Sequence, residues 1–234
     1  MSPVSKASSI CLSLAFSATG LMAADPSWVA KPTQQWSAED AKQVLASSPW
    51  IKKVATRSVP PRTESQQREG GKMGGGQGVG TAVFSPTTLF GGGSSGPGKR
   101  RARASVVEVR WESALPVRAA EKALHDTDAP DWEGNYYVLA VYDVPGLDID
   151  DKSLSGDLKR AALLKLDEKR VLRPERVDCL PQVGGLMTVV YLFPRTIEIK
   201  SDDKRLEFEA RFGQLAMGQY FYTAAMQLQG ALQL

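Results

Sequence analysis

Hydrophobic and polar residues alternate over residues 107–111 and again over 206–212. In the first stretch Val107, Val109 and Trp111 fall on one face; in the second, Leu206, Phe208 and Ala210 do. A two-residue period puts such side chains on one side of an extended strand, and Gly213 marks a turn after the second. Residues 136–144 form a strongly apolar run that Pro145-Gly146 brings to an end, which also reads as a strand. Further strands are predicted at 158–166, around 176–180, and at 186–193, 215–222 and 227–234. Between the first two strands, Ser113 is placed to cap a helix from Ala114 to about Leu124, with Pro116 tolerated in its first turn. Many short strands in series with one early helix predict an α+β, mainly β fold. The architecture is an antiparallel sheet or a β-sandwich with one helix after the first strand.

A second helical pattern lies earlier, within residues 25–58. Ser37 can cap it, Glu39 and Asp40 sit where the helix dipole favours negative charge, and Ala38, Ala41, Val44 and Leu45 share one face. Ser48-Pro49 ends it, and Trp50, Ile51 and Val54 extend the apolar content. So short a helix is not stable alone and must dock, with Trp28, Trp36 and Trp50 as its anchors.

Residues 59–104 change character. Twelve glycines fall between Gly70 and Gly98, and only two short apolar interruptions, at 81–84 and 88–90, break the pattern. This is the composition of a disordered linker, with too little apolar area to offset the entropy of ordering it. Residues 105–234 are then the globular unit, and limited proteolysis is expected to leave that fragment. The string Gly93-Ser94-Ser95-Gly96-Pro97-Gly98-Lys99 matches the first seven positions of a phosphate-binding loop. Arg100 stands where Ser or Thr must hold magnesium, and no hydrophobic strand precedes it, so it reads as chance in Gly-rich sequence.

The N-terminus reads as an export signal. Lys6 provides a positive start, residues 10–23 are largely apolar, and small residues precede the break at Asp25-Pro26. That run is too short for a bilayer core of about 30 Å, which needs roughly 20 residues at helical rise. Cleavage after Ala23 or Ala24 gives an exported chain, periplasmic or extracellular. Ile10 is bulky where a lipoprotein signal needs a small residue before Cys11. With Cys11 gone, Cys179 is left without a disulfide partner and reads as a small buried hydrophobe.

Composition narrows the chemistry. The 234 residues carry 42% hydrophobic and 24% charged side chains, one His and two Cys, and a net charge of +3. One His and two Cys exclude most zinc, haem and iron–sulfur arrangements, and no cofactor or metal is expected. The charge is uneven, +7 over residues 25–104 against −5 over 105–234. A basic segment joined to an acidic domain can fold back on it or reach an anionic surface. The cluster Lys99-Arg100-Arg101-Ala102-Arg103 lacks the interleaved aromatics that stack on bases, which disfavours nucleic acid.

Several strings carry a resemblance: Trp36-Ser37 through Ser48-Pro49-Trp50, the Gly-rich stretch, and Val109-Arg110-Trp111-Glu112-Ser113-Ala114-Leu115-Pro116-Val117-Arg118. Leu192-Phe193-Pro194-Arg195 and Met226-Gln227-Leu228-Gln229-Gly230-Ala231-Leu232 extend it. Together they resemble a family of uncharacterised exported proteins of acidobacteria. The resemblance implies export and this domain plan, and it transfers no catalytic residue.

The candidate chemistry is sparse. His125 reads as a solvated helix end. The acidic strings Asp148-Ile149-Asp150-Asp151 and Asp202-Asp203 lack the spacing of a calcium loop, and Glu207 and Glu209 share a solvated strand face. The candidate ligand-binding site is Trp111, Glu112 and Arg118. An ion pair of Glu112 with Arg118 would lock helix to sheet; free backbone N–H groups at that helix start are the alternative use. The expected function is that of a non-catalytic cell-envelope protein that binds an envelope protein or an anionic surface. The alternative is an extracytoplasmic hydrolase whose carboxylate site forms no motif.

Overall fold

The computed structural model describes residues 26–59, 104–148 and 150–234. The export signal, the phosphate-loop match, the basic cluster and nearly all of the expected linker lie outside the described residues. Among the described residues, twelve strands and three α-helices form a mixed α+β, mainly β fold in which all strand pairing is antiparallel. In chain order the helices are α1 (Ala38–Ser47), α2 (Leu115–Leu124) and α3 (Leu154–Arg160). The strands are β1 (Ile51–Ala55), β2 (Arg57–Ser58), β3 (Val106–Trp111), β4 (Tyr136–Pro145), β5 (Leu163–Lys165) and β6 (Val171–Leu172). They continue as β7 (Arg176–Pro181), β8 (Leu186–Pro194), β9 (Arg205–Phe212), β10 (Leu215–Tyr222), β11 (Gln227–Leu228) and β12 (Ala231–Leu232).

Two five-stranded sheets, ordered β1-β3-β4-β8-β7 and β2-β10-β9-β5-β6, make a sandwich-like pair without closing into a barrel. Alternation decides the inner faces. Val107, Val109 and Trp111 of β3 and Leu206, Phe208, Ala210 and Phe212 of β9 are buried in one shared core. The central strands β4 and β8 are buried on both faces, which is why they read as continuous apolar runs. Tyr137, Leu139 and Val141 face the main core, while Val138, Ala140 and Tyr142 join Val190 and Leu192 in a second, smaller cluster. Trp132 and Tyr136 pack against that second cluster.

The N-terminal segment is part of this same core. Ile51–Ala55 pairs with Val106–Arg110 along the edge of the first sheet, and the chain then turns at Thr56 to add β2 to the second. A strand that changes sheets makes a corner of the sandwich. Thr56 clasps that corner: its N–H donates to the Ser105 carbonyl at 2.8 Å, and its hydroxyl accepts from the Ser105 N–H at 3.0 Å. Residues 60–103 are therefore inserted between two strands that pair with each other. The three tryptophans anchor the segment as expected, with Trp28 5.9 Å from Trp36 and 6.0 Å from Trp50 between ring centres. Trp50 also donates to the Gln233 carbonyl at 2.8 Å.

Helix α1 starts as its sequence predicts. The Ser37 hydroxyl accepts from the Asp40 N–H at 3.1 Å, and the Asp40 carboxylate accepts from the Ser37 N–H at 3.0 Å. Lys31, 2.7 Å away, and then the Ser27 hydroxyl hold the Asp40 carboxyl well below the usual carboxylate range.

Three local expectations are corrected, the first at 227–234, where β11 and β12 pair antiparallel about Gln229-Gly230 in place of one strand. Residues 158–166 are not one strand: helix α3 runs to Arg160 and only Leu163–Lys165 is extended. Leu154 and Leu158 lie one helical turn apart, and Leu158 is buried in the core, so a helical stripe precedes the strand. Ser113 does not cap α2. Its hydroxyl accepts from the Val138 N–H at 3.0 Å, and Ala114 stands at the cap position without a side-chain bond. The sheet has taken the oxygen that the helix lacks.

Gly134 enters β4 at φ +98°, and a Cβ there would lie 2.7 Å from the Tyr136 ring. Gly134→Ala is expected to cost about 1–3 kcal/mol through backbone strain and displacement of that ring, read as a lower urea midpoint.

Candidate functional site: a buried carboxyl pair

The alternation that turns Val107, Val109 and Trp111 inward leaves Glu108 and Arg110 on the opposite face of β3. Glu112 follows directly after the strand and is fully buried, 0% exposed. Tyr142, opposite Glu108 on β4, donates its hydroxyl to Glu112 Oε1 at 2.8 Å. From α2 comes Glu121, 3% exposed, whose carboxyl interacts electrostatically with that of Glu112. Two carboxyls thus meet under a helix, out of contact with water.

Two guanidinium groups flank them. Arg110 lies 4.2 Å over the Tyr142 ring, 2.7 Å from Glu108, 3.5 Å from Asp126 and 3.9 Å from Glu121. Arg118 lies 4.4 Å over the Trp132 ring, donates to the Pro130 carbonyl at 3.1 Å, and approaches Glu121 at 3.7 Å. At those separations neither arginine makes a hydrogen bond to Glu121. Burial, then the adjoining Glu112 carboxyl, push the Glu121 carboxyl up to about 10 against the opposing pull of both arginines. Burial, and next the Glu112 charge, raise the Tyr142 phenol above its usual range as well.

The three residues singled out from sequence are only partly brought together. Trp111 is fully buried, but it faces the main core, with the Phe221 ring 5.3 Å away and the Tyr137 ring 6.3 Å away. Glu112 and Arg118 do not pair directly: Glu112 bonds Tyr142, and the carboxylate within 4.0 Å of Arg118 is Glu121. Helix geometry explains the exchange, since Glu121 stands one turn after Arg118 on the same element.

Sequence reasoning missed Glu121 and Tyr142. Glu121 had a signal, because it falls in the helical stripe of Val117, Ala120 and Leu124, where a carboxylate is out of place. Tyr142 had none, lying 30 residues from Glu112 on another strand.

The remaining chemistry-bearing residues are held for structural ends. Lys165 lies 2.6 Å from Glu209 and 3.6 Å from Glu207, bridging both on the outer face of the second sheet. Asp148 accepts from the Asp150 N–H at 3.0 Å and Asp151 from the Ser153 N–H at 2.8 Å, so both close turns. Among the described residues no group of three or more His, Cys, Asp or Glu is arranged to hold a metal ion. His125 is the exposed left-handed residue that ends α2 (φ 52°), and burial raises the Cys179 thiol above its ordinary value, away from a reactive thiolate. Four surface grooves of ≈ 450 to ≈ 640 Å³ are lined by other residues than Glu112 and Glu121.

Comparison with protein-family models, with curated proteins and with solved structures finds no match to this chain.

Proposed function

We propose that this is an exported, non-catalytic cell-envelope protein whose sandwich binds a partner protein along the free edge of its first sheet. The observation that carries this reading is β7, which pairs with β8 on one side and, among the described residues, ends the sheet on the other. An unpaired strand edge offers backbone N–H and C=O groups to an incoming extended segment. Leu180 on β7 is 38% exposed and Val183, at the tip of the β7–β8 hairpin, is 97% exposed. A groove of ≈ 590 Å³ runs between this strand and α3, lined by Arg176, Asp178, Leu180, Leu154 and Ser155 among others. Export rests on the N-terminal pattern, and we infer on the same footing that the chain is one of the acidobacterial exported proteins its Trp111-Glu112-Ser113-Ala114 string resembles. Among the described residues no helix is long and apolar enough to cross a membrane.

The hydrolase alternative gains little from the converging carboxyls. A general acid must come within hydrogen-bond reach of the bond it protonates, and Glu112 and Glu121 are sealed under α2. Expected outcome: the mature chain used as bait retains a partner from envelope extract, and the double variant Leu180→Lys, Val183→Lys loses it while unfolding at the same temperature. Retention of the same partner by the variant would contradict binding at this edge.

A further inference from the structure

We propose that Glu121 carries a proton that it donates to Glu112, and that this shared proton is a latch joining helix α2 to the first sheet, one that weakens as pH rises. With both carboxyls ionised, Glu112 Oε2 and both oxygens of Glu121 are, among the described residues, buried acceptors without a donor. Buried polar atoms left unpaired are costly, and two adjacent buried anions more so. Among the described residues no donor bonds these three atoms. From β4, Tyr142 already serves Glu112 Oε1; from β3, Arg110 is committed to Glu108; on α2 itself, Arg118 is committed to the Pro130 carbonyl. Glu108 on β3 and Asp126 after α2 add negative charge to the same cluster. Four carboxyls thus face two guanidinium groups. One proton placed between Glu121 and Glu112 removes a charge and supplies the missing donor together.

The burial-raised Glu121 carboxyl supports this and sets the direction. A group whose pKa is higher folded than unfolded favours the fold fully below its unfolded value, here 4.5, and loses that contribution as pH rises towards its folded value of about 10. The folded chain then binds one proton more than the unfolded chain across that window. One extra proton changes the folding equilibrium constant about tenfold per pH unit.

Glu121→Gln is the discriminating variant, because its amide donates to Glu112 without titrating. The measurement is the folding constant of wild type and variant by urea unfolding from pH 5 to 9. The ratio of wild type to variant is expected to fall about tenfold per unit, and protection of the α2 amides in wild type to fall with it. Parallel profiles would overturn the proposal. If Glu121→Gln does not fold, the infrared spectrum of the wild-type protein decides. A protonated-carboxyl band in the folded protein at pH 7, absent once urea unfolds it at the same pH, is expected. A folded protein without that band would overturn the latch.

Discussion

Deleting residues 26–58 is expected to unfold the rest of the chain. The deletion takes Trp28, Trp36, Trp50, Ile51, Val54, Ala41 and Val44 out of one continuous core. It also strips β1 from β3, leaving a new sheet edge, and opens the face of α2 against which α1 packs. Truncating a buried tryptophan typically costs about 3–5 kcal/mol. Three such losses reach about 9–15 kcal/mol, the whole stability of an ordinary domain. The chain 105–234 is therefore expected to show no cooperative unfolding transition by circular dichroism. Adding a peptide of residues 26–59 is expected to restore one. A sharp transition from 105–234 alone would show that the second stretch holds its own core.

The second large effect is at Trp111. Its ring is fully buried between Phe221 and Tyr137, so it joins the first sheet to the second. Trp111→Ala is expected to cost about 3–5 kcal/mol, from lost transfer energy and the cavity left behind. Trp111→Phe should be far milder. Among the described residues the buried indole Nε1 has no hydrogen-bond partner, so phenylalanine removes an unpaired donor along with part of the volume. Thermal melts of the two variants check this. Near-equal destabilisation would mean that the indole nitrogen has a partner after all, a buried water being the simplest.

Much of the sheet was legible because burial on one face imposes a two-residue period. β9 shows it cleanly, with Leu206, Phe208, Ala210 and Phe212 inside and Arg205, Glu207, Glu209 and Arg211 outside. The strands β4 and β8 were legible for the opposite reason, being apolar throughout. The strand β1 was not. Ile51 and Val54 are both buried although three residues apart, because they lie on opposite faces of the strand, beside Arg110 and Val107 respectively, and both faces are covered there. Helix α3 was hidden by the leucines it shares with β5, which blend into one apolar run.

The candidate site divides similarly. Glu112 and Arg118 stood out in the sequence as charges beside an apolar strand and helix. Their partners did not, since a tertiary contact 30 residues away, Tyr142, and a helical neighbour, Glu121, outcompeted the pairing that proximity alone suggested.

One core is built from both sides of residues 60–103, clasped where Thr56 meets Ser105. Introducing a specific protease site within 60–103 and cutting the folded protein tests it directly. The two fragments are expected to elute together under native conditions and to part only in denaturant. Fragments that separate natively, each keeping its own fold, would contradict a shared core.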